Sequence, residues 1–224
     1  MTSKNLRDLL QIKGEYHTFN REERYYAALL FHFLLKPKGL RKFLDLIGDD
    51  SDQNNARIFF EYAHARDLWF EFKAAANKEP GFDLALLNEK LRSVIVSLVD
   101  PTDGLGLSKD VREFNKLFGA KSTKHIQMPG RWSKREFSEW EKLGGRKFAE
   151  RACTLIWAFN AKADLVIHTS NNRAICIEAK VDSAESIYTA TAGEGVPLFI
   201  RTQTEIQEYI LDVLLGYETT YVLL

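Results

Sequence analysis

Apolar residues recur along this chain at two spacings, and the change of spacing marks a change of structure. Near the C-terminus, Ile206, Tyr209, Ile210, Val213, Leu214 and Tyr217 fall at i, i+3, i+4, i+7, i+8 and i+11, one buried stripe of a helix. Thr202 with Glu205 forms a capping box ahead of it. Leu84, Leu87, Leu91, Val94, Ile95 and Leu98 repeat the helical spacing from Asp83 onward, and Asp100-Pro101 breaks it. Asn20 with Glu23 caps another helix, whose body runs from Tyr25 to Leu35 and stops at Lys36-Pro37. Gly39 to Ile47 predicts a short helix, and the aromatic-rich segment Arg57 to Lys73 predicts a further one. Residues 1–105 therefore read as a helical region.

The texture differs in residues 106–224. Gly144-Gly145 precedes a helix from Arg146 to Phe159 that is apolar nearly all round. Two β-type runs follow, Asp164 to Thr169 and Ala174 to Val181. Ser170-Asn171-Asn172-Arg173 between them is turn chemistry, so the pair predicts a hairpin. A polar, glycine-containing loop then extends to about Pro197, and Thr219 to Leu224 predicts a last strand. The fold class is α+β.

Composition narrows the function classes. With 45% apolar and 28% charged residues in 224, the chain is globular rather than disordered. Lys plus Arg equals Asp plus Glu at 31 each, so attraction to a polyanion must be local. Ser108 to Arg135 is such a place: eight basic residues face only Asp110 and Glu113, with Phe114, Phe118, His125 and Trp132 interleaved. Lys116, Lys121, Lys124 and Arg131 are the candidates for phosphate contact, and the rings suit unstacked bases. A solvated helix and loop would give the same pattern. Cys153 and Cys176 are too few for a disulfide scaffold and sit in no metal-ligand spacing. The longest apolar run is shorter than the roughly 20 residues of a membrane helix, and the N-terminal residues have no signal-like core. The expected setting is cytoplasmic.

The chemistry lies in the predicted hairpin. Glu178 and Lys180 are two apart and share a strand face, while Ile175, Ile177, Ala179 and Val181 form the opposite, apolar one. Buried charges at that pitch are costly unless something uses them. Asp164 opens the neighbouring strand. Two carboxylates brought together there invite Mg²⁺, which takes one or two carboxylates with waters and phosphate oxygens, and Mn²⁺ can substitute. The adjacent lysine suits charge on a phosphate. Parity sets a condition. A two-residue turn would aim Asp164 away from Glu178, so a shared site requires a three- or five-residue connection, or a bulge.

Asp164 with Glu178-Ala179-Lys180 resembles the D…(D/E)xK signature of the PD-(D/E)XK nuclease superfamily, here as Ala-Asp-Leu-Val-Ile followed by Ile-Cys-Ile-Glu-Ala-Lys. The resemblance covers roughly residues 140–224. It implies a restriction-endonuclease-like core, a mixed β-sheet flanked by helices, in residues 106–224. It also implies Mg²⁺-dependent hydrolysis of DNA phosphodiesters, as in restriction, repair or phage defence. Asp164 and Glu178 would then be metal ligands and Lys180 the catalytic lysine. Many members add a glutamate on the preceding helix, which maps onto Glu150, in one stripe with Cys153 and Trp157. Some add a glutamine on the following helix, where Gln203 and Gln207 lie. Gln203 heads the apolar stripe and is the candidate for a DNA contact; a plain first-turn residue is the alternative.

A second acidic-x-Lys triplet, Glu71-Phe72-Lys73, lacks a partner aspartate on a strand and is set aside. The five histidines are scattered. The aromatic-rich helical half reads as core or as a surface for a second copy or a partner protein. The rival reading from another class is a non-catalytic nucleic-acid-binding or assembly module that keeps the nuclease fold.

Overall fold

The computed structural model describes residues 23–36, 38–78, 80–102, 104–107, 110–169, 172–180, 184–191 and 197–224. Asn20, Pro37, Ser108, Lys109, Ser170, Asn171 and Val181, used above, lie outside them. Among the described residues the chain is α+β, with seven α-helices, a mixed four-stranded sheet and a two-stranded sheet. No helix among them is long and apolar enough to cross a membrane.

Two compact units make up the chain, and they do not divide it at residue 105. The first takes Met1–Tyr62, Lys162–Glu185 and Gln207–Leu224; the second takes Ala63–Ala161 and Ser186–Ile206. The reason is a strand inside the region expected to be helical. Arg57–Tyr62 is β1, and only His64–Ala76 behind it is helix. Ile58, Phe59, Phe60 and Tyr62 suit a pleated surface, and periodicity alone does not distinguish so short an apolar run from a helix.

The first unit is built on the larger sheet. β1 pairs antiparallel with β2 (Ala163–Thr169), β2 antiparallel with β3 (Arg173–Glu178), and β3 parallel with β6 (Glu218–Leu223). Helices α1 (Glu23–Leu34) and α2 (Gly39–Ile47) bring Leu30, Leu34, Phe43 and Leu44 onto one face, against Leu165, Ile167, Ile175 and Ile177. On the other face Val166, Ala174 and Cys176 meet Leu211. Burial on both faces explains why β2 and β3 read as nearly continuous apolar runs.

Leu211 belongs to an irregular turn. The helix at Gln203–Glu208 continues over Tyr209–Leu214 as π-helix, with Leu215 N donating to Ile210 O across five residues. The wider turn rotates the expected stripe. Ile206, Gln207, Ile210 and Leu211 are buried, whereas Val213 is 63% exposed.

The second unit holds α3 (His64–Ala76), α4 (Leu84–Val99), α5 (Val111–Leu117) and α6 (Phe137–Ala158). Asp83 caps α4 as its position predicts, accepting from Ala85 N at 2.8 Å. α6 starts before the Arg146 expected from sequence, and is interrupted at Gly145, whose φ of 77° breaks the helical path. The segment read as a polar loop contains a hairpin instead, β4 (Ile187–Ala190) with β5 (Phe199–Thr202). Each strand has four residues, too few for alternation to register. The Thr202–Glu205 box is reciprocal: Thr202 N donates to Glu205 Oε2 at 2.7 Å, and Glu205 N to Thr202 Oγ1 at 3.2 Å.

The joint between α1 and α2 admits only glycine. A Cβ on Gly39 would lie 1.9 Å from the Phe33 carbonyl oxygen, a backbone atom that cannot swing aside. We expect Gly39→Ala to cost about 1–3 kcal/mol through forced separation of the two helices. Thermal unfolding checks this, and an unchanged midpoint would contradict it.

Candidate functional site

The site begins with a register. β2 and β3 pair from Leu165↔Ile177 to Thr169↔Arg173, so the next step outward sets Asp164 opposite Glu178. Three residues, 170–172, separate Thr169 from Arg173, the odd number that parity demands. The last of them, Asn172, takes φ 59°, a left-handed conformation that asparagine tolerates, and its Nδ2 donates to Gly216 O.

The two carboxylates are cross-bonded through the backbone. Asp164 N donates to Glu178 Oε1 at 3.3 Å, and Ala179 N donates to Asp164 Oδ2 at 3.0 Å. Glu178 is 6% exposed. From the helix beyond the small hairpin, Gln207 Nε2 donates to the same Glu178 Oε1, while Cys176 Sγ donates to Gln207 Oε1 at 3.4 Å. Gln207 thus bridges two residues of β3 and fixes the carboxylate's orientation.

Lys180 follows the strand end and stays in its ladder, its N–H donating to Leu224 O at 2.9 Å. Its ammonium lies 3.8 Å from Glu178 Oε2 and 3.6 Å from Glu23 Oε2, the first residue of α1. On the other side of Asp164, the pairs Phe60↔Leu165 and Tyr62↔Ala163 bracket Glu61. Glu61 has φ 51°, rare for a non-glycine residue inside a strand. Its carboxylate accepts from Lys162 Nζ at 3.0 Å and lies 3.6 Å from Arg24, and the Lys162 bond holds its pKa below the ordinary value.

Electrostatics single out Glu178. Burial raises its pKa from the ordinary 4.5 to about 7, and the Asp164 charge pushes the same way. Lys180 and the Gln207 bond oppose the rise without cancelling it. Two hard oxygen donors on adjacent strands, one of them reluctant to ionise alone, form a donor set that fits a small divalent cation.

Asp164, Glu178 and Lys180 are therefore brought together. Glu150 lies in the second unit, where Arg146 Nε donates to its Oε1 at 2.8 Å. The glutamate that α1 brings to Lys180 is Glu23, which sequence reading used only as a capping residue. Gln203 also belongs to the second unit, its N–H donating to Ser186 O at 2.9 Å. Within the first unit it is Gln207 that reaches Glu178. Its signal in the sequence was Ile210 and Leu211 at i+3 and i+4, apolar residues on its own helix face.

Lys116, Lys121, Lys124 and Arg131 are exposed on the second unit. Of the rings interleaved with them only His125 is exposed. Phe114, Phe118 and Trp132 are buried, with Phe118 stacked on Trp132 at 3.9 Å between centroids. These three rings form the core of the segment and offer no face to a base.

Neither a family model, nor a curated protein, nor a solved structure matches this chain.

A stability profile tests the buried carboxylate. With its pKa raised, folded Glu178 keeps a proton that the unfolded chain has already released. Stability should therefore fall as pH rises from about 4.5 to about 7, and level off above. We expect Glu178→Gln to gain thermal stability relative to the unaltered chain, in EDTA, between about pH 5 and about pH 8. A difference in Tm that does not change with pH would contradict the assignment.

Proposed function

We propose that this chain is a metal-dependent nuclease of the PD-(D/E)XK type that hydrolyses DNA phosphodiester bonds. The observation that carries the reading is the pairing of Asp164 with Glu178 across adjacent strands, with Lys180 beside them. The element order of the first unit also supports it: two helices, three strands, a helix and a strand, which from the second helix onward is similar to that family's core. β1 supplies a strand for which the residues between Phe159 and Ala163 leave no room.

Asp164 and Glu178 would hold Mg²⁺, or Mn²⁺ in its place. A bound divalent ion supplies charge stabilisation at the phosphate and a lowered pKa for water. The chain's own groups do the rest. The Ala179 N–H and Gln207 hold the carboxylates in fixed orientation, so little reorganisation is needed when a cation binds. Lys180, ion-paired with Glu23 and Glu178, offers a positive charge to a phosphate whose negative charge grows in the transition state. Burial of Glu178 keeps bulk water from screening these interactions. The exposed cations of the second unit would supply contacts to the DNA backbone.

The test is incubation with linear, circular and single-stranded DNA in the presence of Mg²⁺, Mn²⁺ or EDTA. Cleavage should require the cation, and Glu178→Ala or Lys180→Ala should lower it by at least about 100-fold while circular dichroism remains unchanged. Undiminished cleavage by either folded variant would overturn the assignment.

A further inference from the structure

The residues between α5 and the turn at Pro129–Arg131 form neither helix nor strand, yet buried side chains hold them in place. Asn115, fully buried on α5, donates through Nδ2 to Ser122 O at 2.7 Å and His125 O at 2.8 Å, and accepts from Gln127 N at 3.1 Å. Asn88, buried on α4, accepts from Ile126 N at 3.0 Å and donates to Lys124 O at 2.9 Å. Ordering a backbone without a ladder costs about 1–2 kcal/mol per residue. Two asparagines here do the work of a missing strand partner. What they fix is an outward-facing row, with Lys121, Lys124 and His125 all exposed.

One wall of a surface cleft of about 180 Å³ comes from this loop, and the other from α3. Trp69, Phe70, Lys73, His125, Met128 and Arg131 line it, and no lining residue is acidic. Phe70 is 49% exposed, and Lys73 and Arg131 line the same cleft. Trp69 is held edge-on by Phe159 at 5.8 Å between centroids. Apolar, aromatic walls with fixed positive charge match a ligand that is both flat and anionic.

We propose that this cleft binds a nucleotide unit of single-stranded nucleic acid, its base against Phe70 and its phosphates on Lys73 and Arg131. An unstacked base presents the face that a ring requires, whereas a duplex hides it. The preformed loop lowers the ordering cost of binding. The cleft lies within the second unit and involves none of the carboxylates of the first, so the proposal does not depend on the hydrolytic reading.

The experiment uses the full chain in EDTA and a fluorescein-labelled oligothymidylate of roughly 12 nucleotides. Anisotropy is recorded from about 50 to about 200 mM salt, with a duplex of equal length as the comparison. We expect the single strand to bind more tightly than the duplex, and Phe70→Ala to weaken it by at least about fivefold. Lys73→Gln and Arg131→Gln should each flatten the log–log salt dependence by about 0.7. All three side chains reach the surface of the cleft, and circular dichroism verifies that the variants fold. Absence of binding, variants with unchanged affinity and slope, preference for the duplex, or equal displacement by polyglutamate would each overturn the proposal. Loss of metal-dependent cleavage with this binding intact would count against the nuclease reading alone.

Discussion

Glu178 ends a central strand with a carboxylate that the first unit almost wholly removes from water. Burying an ionised carboxylate costs several kcal/mol unless hydrogen bonds and opposite charge offset it. The Asp164 N–H, the Gln207 amide and the Lys180 ammonium offset part of that cost, but the second carboxylate of Asp164 adds to it. The imbalance leaves Glu178 titrating near neutrality. A proton relieves it, and so would a divalent cation. The arrangement is thus a poor stabilising ion pair, and one whose charge imbalance a bound cation would relieve, in keeping with the role proposed above.

Everything at the site depends on register. Had the connection between β2 and β3 been one residue shorter, Asp164 would share a face with the apolar side chains that meet α1 and α2. The three-residue connection costs an unusual backbone conformation at Asn172, and the strand on the other side carries another at Glu61. The departure at Glu61, beside Asp164, matches the tendency of such conformations to gather at functional positions. The π-helical turn has the same character. By widening the helix over Tyr209–Leu214 it accompanies a face on which Gln207 and Leu211, rather than Val213, are inside.

The sequence made part of this legible. The helices at Gly39–Ile47 and Leu84–Val99 stand where the pattern puts them. Asp164, Glu178 and Lys180 were found because charged residues interrupt otherwise apolar strands, and parity alone fixed the kind of connection between them. β1 was not legible, because its partner lies beyond the whole Ala63–Ala161 segment of the second unit in the sequence. Gln207 was ambiguous because Gln203, one helical turn earlier, shares its helix face. The basic segment was half legible: its cations are exposed, but charge patterning does not reveal that Phe114, Phe118 and Trp132 serve the core. Nor does it reveal that Asn88 and Asn115, distant in sequence, hold the loop that carries some of those cations.

The central claim is that Asp164 and Glu178 form one cation site, and direct titration with Mn²⁺, followed by electron paramagnetic resonance, addresses it without reference to any substrate. The account predicts saturable binding to the unaltered chain at neutral pH, weakened at least about tenfold by Asp164→Asn and likewise by Glu178→Gln. It also predicts tighter binding as pH rises through about 7, where Glu178 gives up its proton. Equal Mn²⁺ affinity in all three proteins, with no dependence on pH, would contradict it.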